Sequence, residues 1–588
     1  MKNMANNKII IILVFVFIIS ISCRSNGNTV NPPVDTPNTE VFLTTDKAVY
    51  SPGETVKFKM DKSVTGDVKI RYRHLASTLD VMSVSSMEWN WTPPTSDYRG
   101  YMVDIYEISN GNEKIIGSIA VDVSSDWTRF PRYGFLSKYG EMQSSQIEAI
   151  VLNLKRHHIN GVQFQDWHYK HHKPLSGTPA NPSQNWIDIA NRPVSFVTVK
   201  GYIDSLRKYN MKSMFYNLCF GALSDAQADG VNESWYIFKD QNHQNKDYHD
   251  LPNPYFWSDI FLTNPNNKDW QNYLIAQNND LYSVFNFDGY QIDQLGNRGT
   301  VYDYNGDAVN LPVGYASFIS VMKTARPEKR LVMNAVSQYG QEQIAKGNVD
   351  FLYTEVWGDQ PKYTDLVSII NENNDYSNGK LKTVFAAYMN YNVANNKGYF
   401  NTPGILLTNA VMFAFGGSHL ELGEHMLGKE YFPNDNLAMT AQLKSSLISY
   451  YDFLTAYQNL LRDGGNFNNP DISCTNGQIS VANWPPQSGQ VSVVGKVIDK
   501  KQVIHLINLS QANNFDWRDI DGRTPEPTMK STIALQLRTA QAIEKIWFAS
   551  PDISGGVAKE VTFTQNAASA SFSLPSLKYW DMIVVEYK

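Results

Sequence analysis

The sequence predicts a multidomain α/β and all-β chain: a central (β/α)8 barrel, an immunoglobulin-like β-sandwich before it, and a second β-sandwich after it. Three observations predict this. Near both ends, apolar and polar residues alternate with period two, the mark of half-buried strands. Between those stretches, eight short apolar runs alternate with segments of helical periodicity. At 588 residues, 42% hydrophobic and only 18% charged, the chain is too long for one ordinary domain and too apolar for a disordered one.

Residues 1–22 read as a secretory leader. Lys2 and Lys8 precede an apolar run from Ile9 to Ile19 that is too short to span a bilayer. Cys23, after Ile21-Ser22, resembles the acylated cysteine of a bacterial lipoprotein, and residues 23–38, with Pro32, Pro33 and Pro37, read as a tether. The expected location is the bacterial cell envelope, in outer membrane or periplasm, with the membrane engaged only through the lipid. Cys219 and Cys474 then remain, too few for a disulfide framework. The net charge of −6, made more acidic by loss of the leader's two lysines, argues against a nucleic-acid partner. A monomer is expected.

Residues 39–125 carry the first sandwich. Val56, Phe58 and Met60 alternate with polar residues, as do Val68, Ile70 and Tyr72, then Tyr101, Val103 and Ile105, with Ser51-Pro52-Gly53 and Thr65-Gly66-Asp67 as turns. Residues 126–465 carry the barrel. Ile147, Ile150, Val151 and Leu154 mark one amphipathic helix and Val199, Ile203 and Leu206 another. The eight strand candidates begin at Tyr133, Gly161, Met211, Phe287, Leu331, Asp350, Thr383 and Gly417. A long loop, roughly 220–280, holds Trp235, Tyr236, Tyr248, Tyr255, Phe256 and Trp257. Residues 466–588 return to alternation at Val491 and Val493, Val503 to Leu509, and Trp580 to Val585.

Barrel chemistry sits at the C-terminal ends of the strands, so Asp166, Asp293, Glu355, Glu421 and Glu424 are the acids to rank. On a strand Gln291 and Asp293 share one face and Ile292 takes the other. Glu355 closes the sixth strand, so it can face Asp293 across the mouth. Two carboxylates flanking a bond are what glycoside cleavage requires. The histidines 157, 158, 168, 171 and 172 match no zinc spacing, and the run Asp166 to Pro174 reads as a sugar-binding loop. Asp303-Tyr304-Asn305-Gly306-Asp307 opens like a calcium loop but has Gly314 where a bidentate Glu is needed, so a hairpin turn is expected.

Longer segments carry a specific resemblance. Gly134-Phe135-Leu136, Asn160 to His168 with Lys170 to Leu175, Asp288-Gly289-Tyr290-Gln291-Ile292-Asp293, Leu352 to Trp357, and His419 to Leu427 with Tyr431-Phe432-Pro433 resemble glycoside hydrolase family 66. That family holds dextranases and cycloisomaltooligosaccharide glucanotransferases, both acting on α-1,6-linked glucan. The resemblance implies Asp293 as nucleophile and Glu355 as acid/base, with Asp166, Tyr216 and Gln291 around the sugar. It implies His168, Lys173, Trp357, Glu424 and His425 as further substrate contacts. Dextran and isomaltooligosaccharides are the implied partners, with no cofactor and no metal. The stacking surface is expected from Trp167, Tyr216, Trp357 and the 235–257 loop. Cyclising members carry an extra carbohydrate-binding module after the seventh strand, and the short stretch between Asn390 and Gly417 has no room for one. The expectation is therefore an endo-acting, retaining dextranase. The alternatives are a cycloisomaltooligosaccharide glucanotransferase and a non-catalytic glucan-binding lipoprotein.

Overall fold

The computed structural model describes residues 40–109 and 111–588. The expected leader, Cys23 and the tether lie outside the described residues. No helix among the described residues is long and apolar enough to cross a membrane.

Between Leu43 and Val123 the chain forms two antiparallel sheets, one of three strands and one of four. Their alternation turns every second side chain inward. Val56, Phe58 and Met60 thus meet Val68, Ile70, Tyr72, Val103 and Ile105 in one core, where Phe58 stacks on Trp89 at 5.1 Å.

The barrel strands are β1 (Tyr133–Leu136), β2 (Gly161–Phe164), β3 (Lys212–Leu218), β4 (Gly289–Asp293), β5 (Arg330–Val336), β6 (Leu352–Val356), β7 (Thr383–Ala387) and β8 (Ser418–His419). They pair in chain order, and parallel throughout. The sheet nearly closes where Phe135 N on β1 donates to Leu422 O, just past β8, at 3.0 Å. Around it run the helices α1 (Ser144–Arg156), α2 (Phe196–Lys208), α3 (Lys268–Val284), α4 (Leu311–Ala325), α5 (Gln341–Ala345), α6 (Tyr363–Ser377), α7 (Thr402–Ala414), α8 (Ala441–Ala456) and α9 (Gln458–Leu461). α1 buries Ile147, Val151 and Leu154, and α2 buries Val199, Ile203 and Leu206, as their helical spacing requires. Gly289 opens β4 because a Cβ there would lie 2.2 Å from Arg330 O on β5.

The eighth strand is shorter than the alternation predicts. Beyond its two ladder residues, Glu421 turns its side chain behind the barrel to accept from Asn409 Nδ2 (2.8 Å) and Tyr451 Oη (3.0 Å) on α7 and α8. Beyond α9, strands from Asn466 to Tyr587 build sheets of seven and four strands over a separate core containing Val491, Ile504, Leu535, Phe572 and Ile583.

The first sandwich is fixed to the barrel through Asp452 on α8. Its buried carboxylate accepts from Arg156 (2.9 and 3.1 Å), from His158 Nε2 (2.7 Å) and from Ala120 N (2.9 Å). Burial alone would raise its pKa, but Arg156 and His158 hold it down at about 2. A carboxylate depressed in the fold stabilises above its unfolded pKa and loses that contribution as pH falls towards 2. Asp452→Asn should therefore cost about 3 kcal/mol at neutral pH, because it strands a buried arginine. In thermal unfolding, the gap from wild type should narrow as the buffer is acidified. An unchanged Tm at neutral pH would refute the linkage.

Candidate active site

Residues two apart on a strand share a face, and at the C-terminal end of a barrel strand that face looks into the mouth. β3 contributes Tyr216, β4 Gln291 and Asp293, β5 Asn334, β6 Tyr353 and Glu355, and Tyr388 follows β7. All seven line one cleft of about 670 Å³. The alternate residues Phe215, Tyr290 and Ile292 pack outwards against the helices, with Tyr290 stacked on Phe215 at 4.5 Å.

The centre of the cleft is a hydrogen-bonded pair of carboxylates. Asn334 Nδ2 donates to Asp293 Oδ1 at 2.8 Å and to Glu355 Oε2 at 2.9 Å. Sharing one nitrogen keeps these two oxygens within roughly 6 Å of each other. The outer oxygens are held separately. Tyr216 Oη donates to Asp293 Oδ2 at 2.7 Å, and Tyr388 Oη donates to Glu355 Oε1 at 2.5 Å. Gln294 N also donates to Asp293 Oδ1 at 2.8 Å. Both carboxyls are thus fixed in position by neutral donors.

Burial raises the pKa of both acids, and a neighbouring carboxylate adds to the raise at each, Asp166 at Asp293 and Asp293 at Glu355. Asp293 is restrained by its bonds to Tyr216, Asn334 and Gln294 N, and lies near 6 while Glu355 lies near 7. The two acids therefore titrate as a pair, and the Asp293 charge favours the protonated form of Glu355, so one group can be ionised while the other keeps its proton.

Tyr388→Phe offers a test of that ordering. The tyrosine bond favours the ionised form of Glu355, so removing it raises the Glu355 pKa. The alkaline limb of the pH–rate profile should move to higher pH, with a loss of about tenfold in kcat/KM. A limb that stays put or moves down would contradict the assignment.

Four of the substrate contacts expected from sequence lie on the cleft wall: Asp166, Tyr216, Gln291 and Trp357. Asp166 adopts φ +47°, unusual for a residue with a side chain, and Arg192 Nη2 donates to its carbonyl at 3.1 Å. Burial raises its pKa against the opposing charge of Arg192. Gln291 Oε1 and Asn334 Oδ1 are buried without a protein partner, which suits them to receive substrate hydroxyls.

The other four lie off the wall. His168 is fully buried behind it, with Nε2 2.9 Å from Nδ1 of His171, and His171 is the ring that reaches the cleft. Lys173 pairs with Asp229 at 2.7 Å. Glu424 accepts from Ser137 N and Oγ at 2.9 and 2.7 Å, and His425 Nε2 donates to Phe432 O at 2.7 Å. All four hold the loops that shape the cleft. Their motifs read as polar and exposed because sequence spacing does not show which partner a loop side chain folds back upon.

The aromatic expectation also divides. Trp167 is a core residue, wedged among Trp186, Phe285 and Phe287. Trp235 packs on Trp270 and Tyr273. Within the long loop, Tyr255 and Phe256 line the cleft, and Tyr255 meets Tyr431 edge-on at 5.6 Å. Asn334, Tyr388, Tyr353, Tyr431 and Phe432 complete the site beyond the expected set. Asn334 and Tyr388 had a readable signal, since each is a polar residue at the end of a predicted barrel strand.

The histidine-rich loop is an ion-pair cluster. His172 Nδ1 accepts from Leu223 N at 3.2 Å, so the proton sits on Nε2, which donates to Asp229 at 3.1 Å. Burial opposes ionisation of Asp229, yet Lys170 and Lys173 hold its carboxyl well below the usual range. His172, Asp225 and Asp229 lie close enough to hold a cation, but the lysines already occupy those acids. Asp303 to Asp307 forms the expected turn, with Asp303 N donating to Asp307 O at 2.8 Å.

A (β/α)8 barrel whose mouth holds two such carboxylates among aromatic side chains defines the class as a carbohydrate-cleaving barrel enzyme. The chain belongs to glycosyl hydrolase family 66, whose sequence profile matches residues 45–584. It is 26% identical to a cycloisomaltooligosaccharide glucanotransferase of Niallia circulans over 702 aligned positions, covering 92% of this chain and 71% of that one. It is 25% identical to a dextranase of Streptococcus salivarius over 565 positions, covering 83% of this chain and 67% of that one. Among solved structures, it superposes with a TM-score of 0.83 and 26% identity on a Paenibacillus sp. cycloisomaltooligosaccharide glucanotransferase complexed with cycloisomaltoheptaose, covering 92% of this chain and 99% of that one.

Proposed function

We propose that this protein is an endo-acting dextranase that hydrolyses α-1,6-glucosidic bonds with retention and releases isomaltooligosaccharides. The observation that carries this reading is the Asp293–Asn334–Glu355 bridge, whose narrow span suits direct attack on the anomeric carbon. Asp293, as the carboxylate, attacks and forms a covalent glucosyl-enzyme while Glu355 protonates the departing oxygen. Glu355, now a carboxylate, takes a proton from water, which attacks the same carbon and releases Asp293. Tyr255, Phe256, Tyr431 and Trp357 offer faces for successive glucose rings along the cleft.

Hydrolysis is preferred over cyclisation because the chain between β7 and α7 is short. It holds a single turn at Val393–Asn395 and the two-residue strand Gly398–Tyr399. The 702-position alignment to the Niallia transferase uses 92% of this 588-residue chain, so that relative carries well over a hundred residues with no counterpart here. The relatives named as glucanotransferases favour the second reading, in which the glucosyl-enzyme is captured by the far end of its own chain. A time course of dextran digestion decides between them. Linear oligosaccharides with an early fall in polymer length are expected, whereas dominant cyclic products would establish the transferase. Binding of dextran without release of reducing ends would leave a glucan-binding protein.

A further inference from the structure

At the N-terminal end of the barrel, opposite the cleft, a cavity of about 300 Å³ lies between α6, the start of β7, the end of α7 and the C-terminal domain. Three cationic side chains line it. Lys382 precedes β7, Arg462 follows α9, and Lys496 lies on the strand Val491–Ile498 of the C-terminal domain. They are only 8%, 2% and 3% exposed, and none forms an ion pair with an acid among the described residues. The neighbouring Asp463 is engaged by Arg129, and Asp375 on the rim is exposed.

Their partners are uncharged: backbone carbonyls and one hydroxyl. Lys382 Nζ donates to Gly379 O at 3.1 Å beyond α6 and Lys496 Nζ to Leu461 O at 3.0 Å on α9, while Arg462 donates through Nη1 to Pro131 O at 2.9 Å, through Nε to Gly416 O at 3.3 Å and through Nη2 to Ser418 Oγ at 3.5 Å. Neutral carbonyl and hydroxyl dipoles carry only partial negative charge, so they offset only part of three buried cations. Each ammonium also has three donors, and each here meets one acceptor. Burial lowers the pKa of all three groups, Lys382 to about 8, Lys496 to about 7 and Arg462 to about 9. Lys382 adds to the lowering at Lys496, while Arg129 and Arg462 add to it at Lys382. Gly465 keeps the backbone against this cluster: its φ is +88°, and a Cβ would lie 2.8 Å from Lys496 Cε.

We propose that this cavity binds a small oxyanion of the phosphate or sulfate class, held by the unused donors of Lys382 and Lys496 with Arg462 beside them. The anion would join the barrel floor to the C-terminal domain, since Lys496 comes from one and Lys382 from the other. Titration calorimetry of the whole chain with phosphate, and separately with sulfate, at constant ionic strength should show one site per chain. Lys382→Met and Lys496→Met should each weaken binding at least about tenfold, because each removes a charge-assisted pair. Glucan cleavage should be unchanged in both. In the wild-type chain, phosphate should also slow acetylation of Lys382 and Lys496, followed by mass spectrometry, without slowing that of exposed Lys59. That measurement stands if a variant fails to fold. The proposal falls if neither anion binds saturably up to about 10 mM, if binding survives both substitutions, or if protection extends equally to Lys59.

Discussion

Asp293→Gly is expected to lower dextran cleavage by at least about 10⁴-fold, and added azide is expected to restore it with a β-glucosyl azide product. The carboxylate that attacks an α-glucoside approaches from the β face, so a small anion entering the space it leaves must do the same. Glu355 remains in place to protonate the leaving oxygen, and this is why rescue restores the first step. Glu355→Gly rescued by azide should give the α-azide, because azide then intercepts a β-linked glucosyl-enzyme. Opposite anomers would reverse the two roles, and undiminished turnover of Asp293→Gly would remove that residue from the chemistry. The substitution should leave the fold intact, since Asp293 is partly exposed at the mouth and its partners Tyr216 and Asn334 are supported by their strands.

Glu355→Gln is expected to cost about 10³-fold on dextran, whose leaving alkoxide needs a proton, and to remove the alkaline limb of the pH profile. On an isomaltosyl fluoride, whose leaving group needs none, the first step should survive and the glucosyl-enzyme should accumulate as a burst. The amide keeps the shape of the carboxyl and can still meet Tyr388 and Asn334, so the loss reports proton transfer and not collapse of the site. Equal losses on both substrates would show that Glu355 positions sugar and does not move protons.

Much of this site was legible before folding. The run Asp288 to Asp293 names its own geometry: a glycine where β5 presses close, apolar residues facing the helices, and Gln291 and Asp293 on the remaining face. Glu355 follows from the same period of two on β6. Asn334 and Tyr388 were visible only as polar residues at strand ends. Nothing local says that one amide will bridge two acids, because the bridge joins three strands whose register is set by the barrel sheet. His168, Lys173, Glu424 and His425 lie off the cleft wall although their motifs placed them with the substrate contacts. Their motifs are specific, yet His171, Asp229, Ser137 and the Phe432 carbonyl claim them, and those partners lie three to nearly three hundred positions away in the chain.

The sequence by itself determined the alternation of elements, the faces of the strands, the two principal acids and the family. These depend on periodicity and on contiguous motifs, which are properties of neighbours along the chain. The tertiary structure alone decided which aromatics line the cleft and which fill the core, so Trp167 went inward and Tyr255 outward although both read alike. It also decided that Asp293 and Glu355 share a donor, and that Lys382, Arg462 and Lys496 converge beneath the barrel. Burial and hydrogen bonding depend on distances between segments far apart in sequence, and those distances exist only once the sheet has closed and the domains have docked.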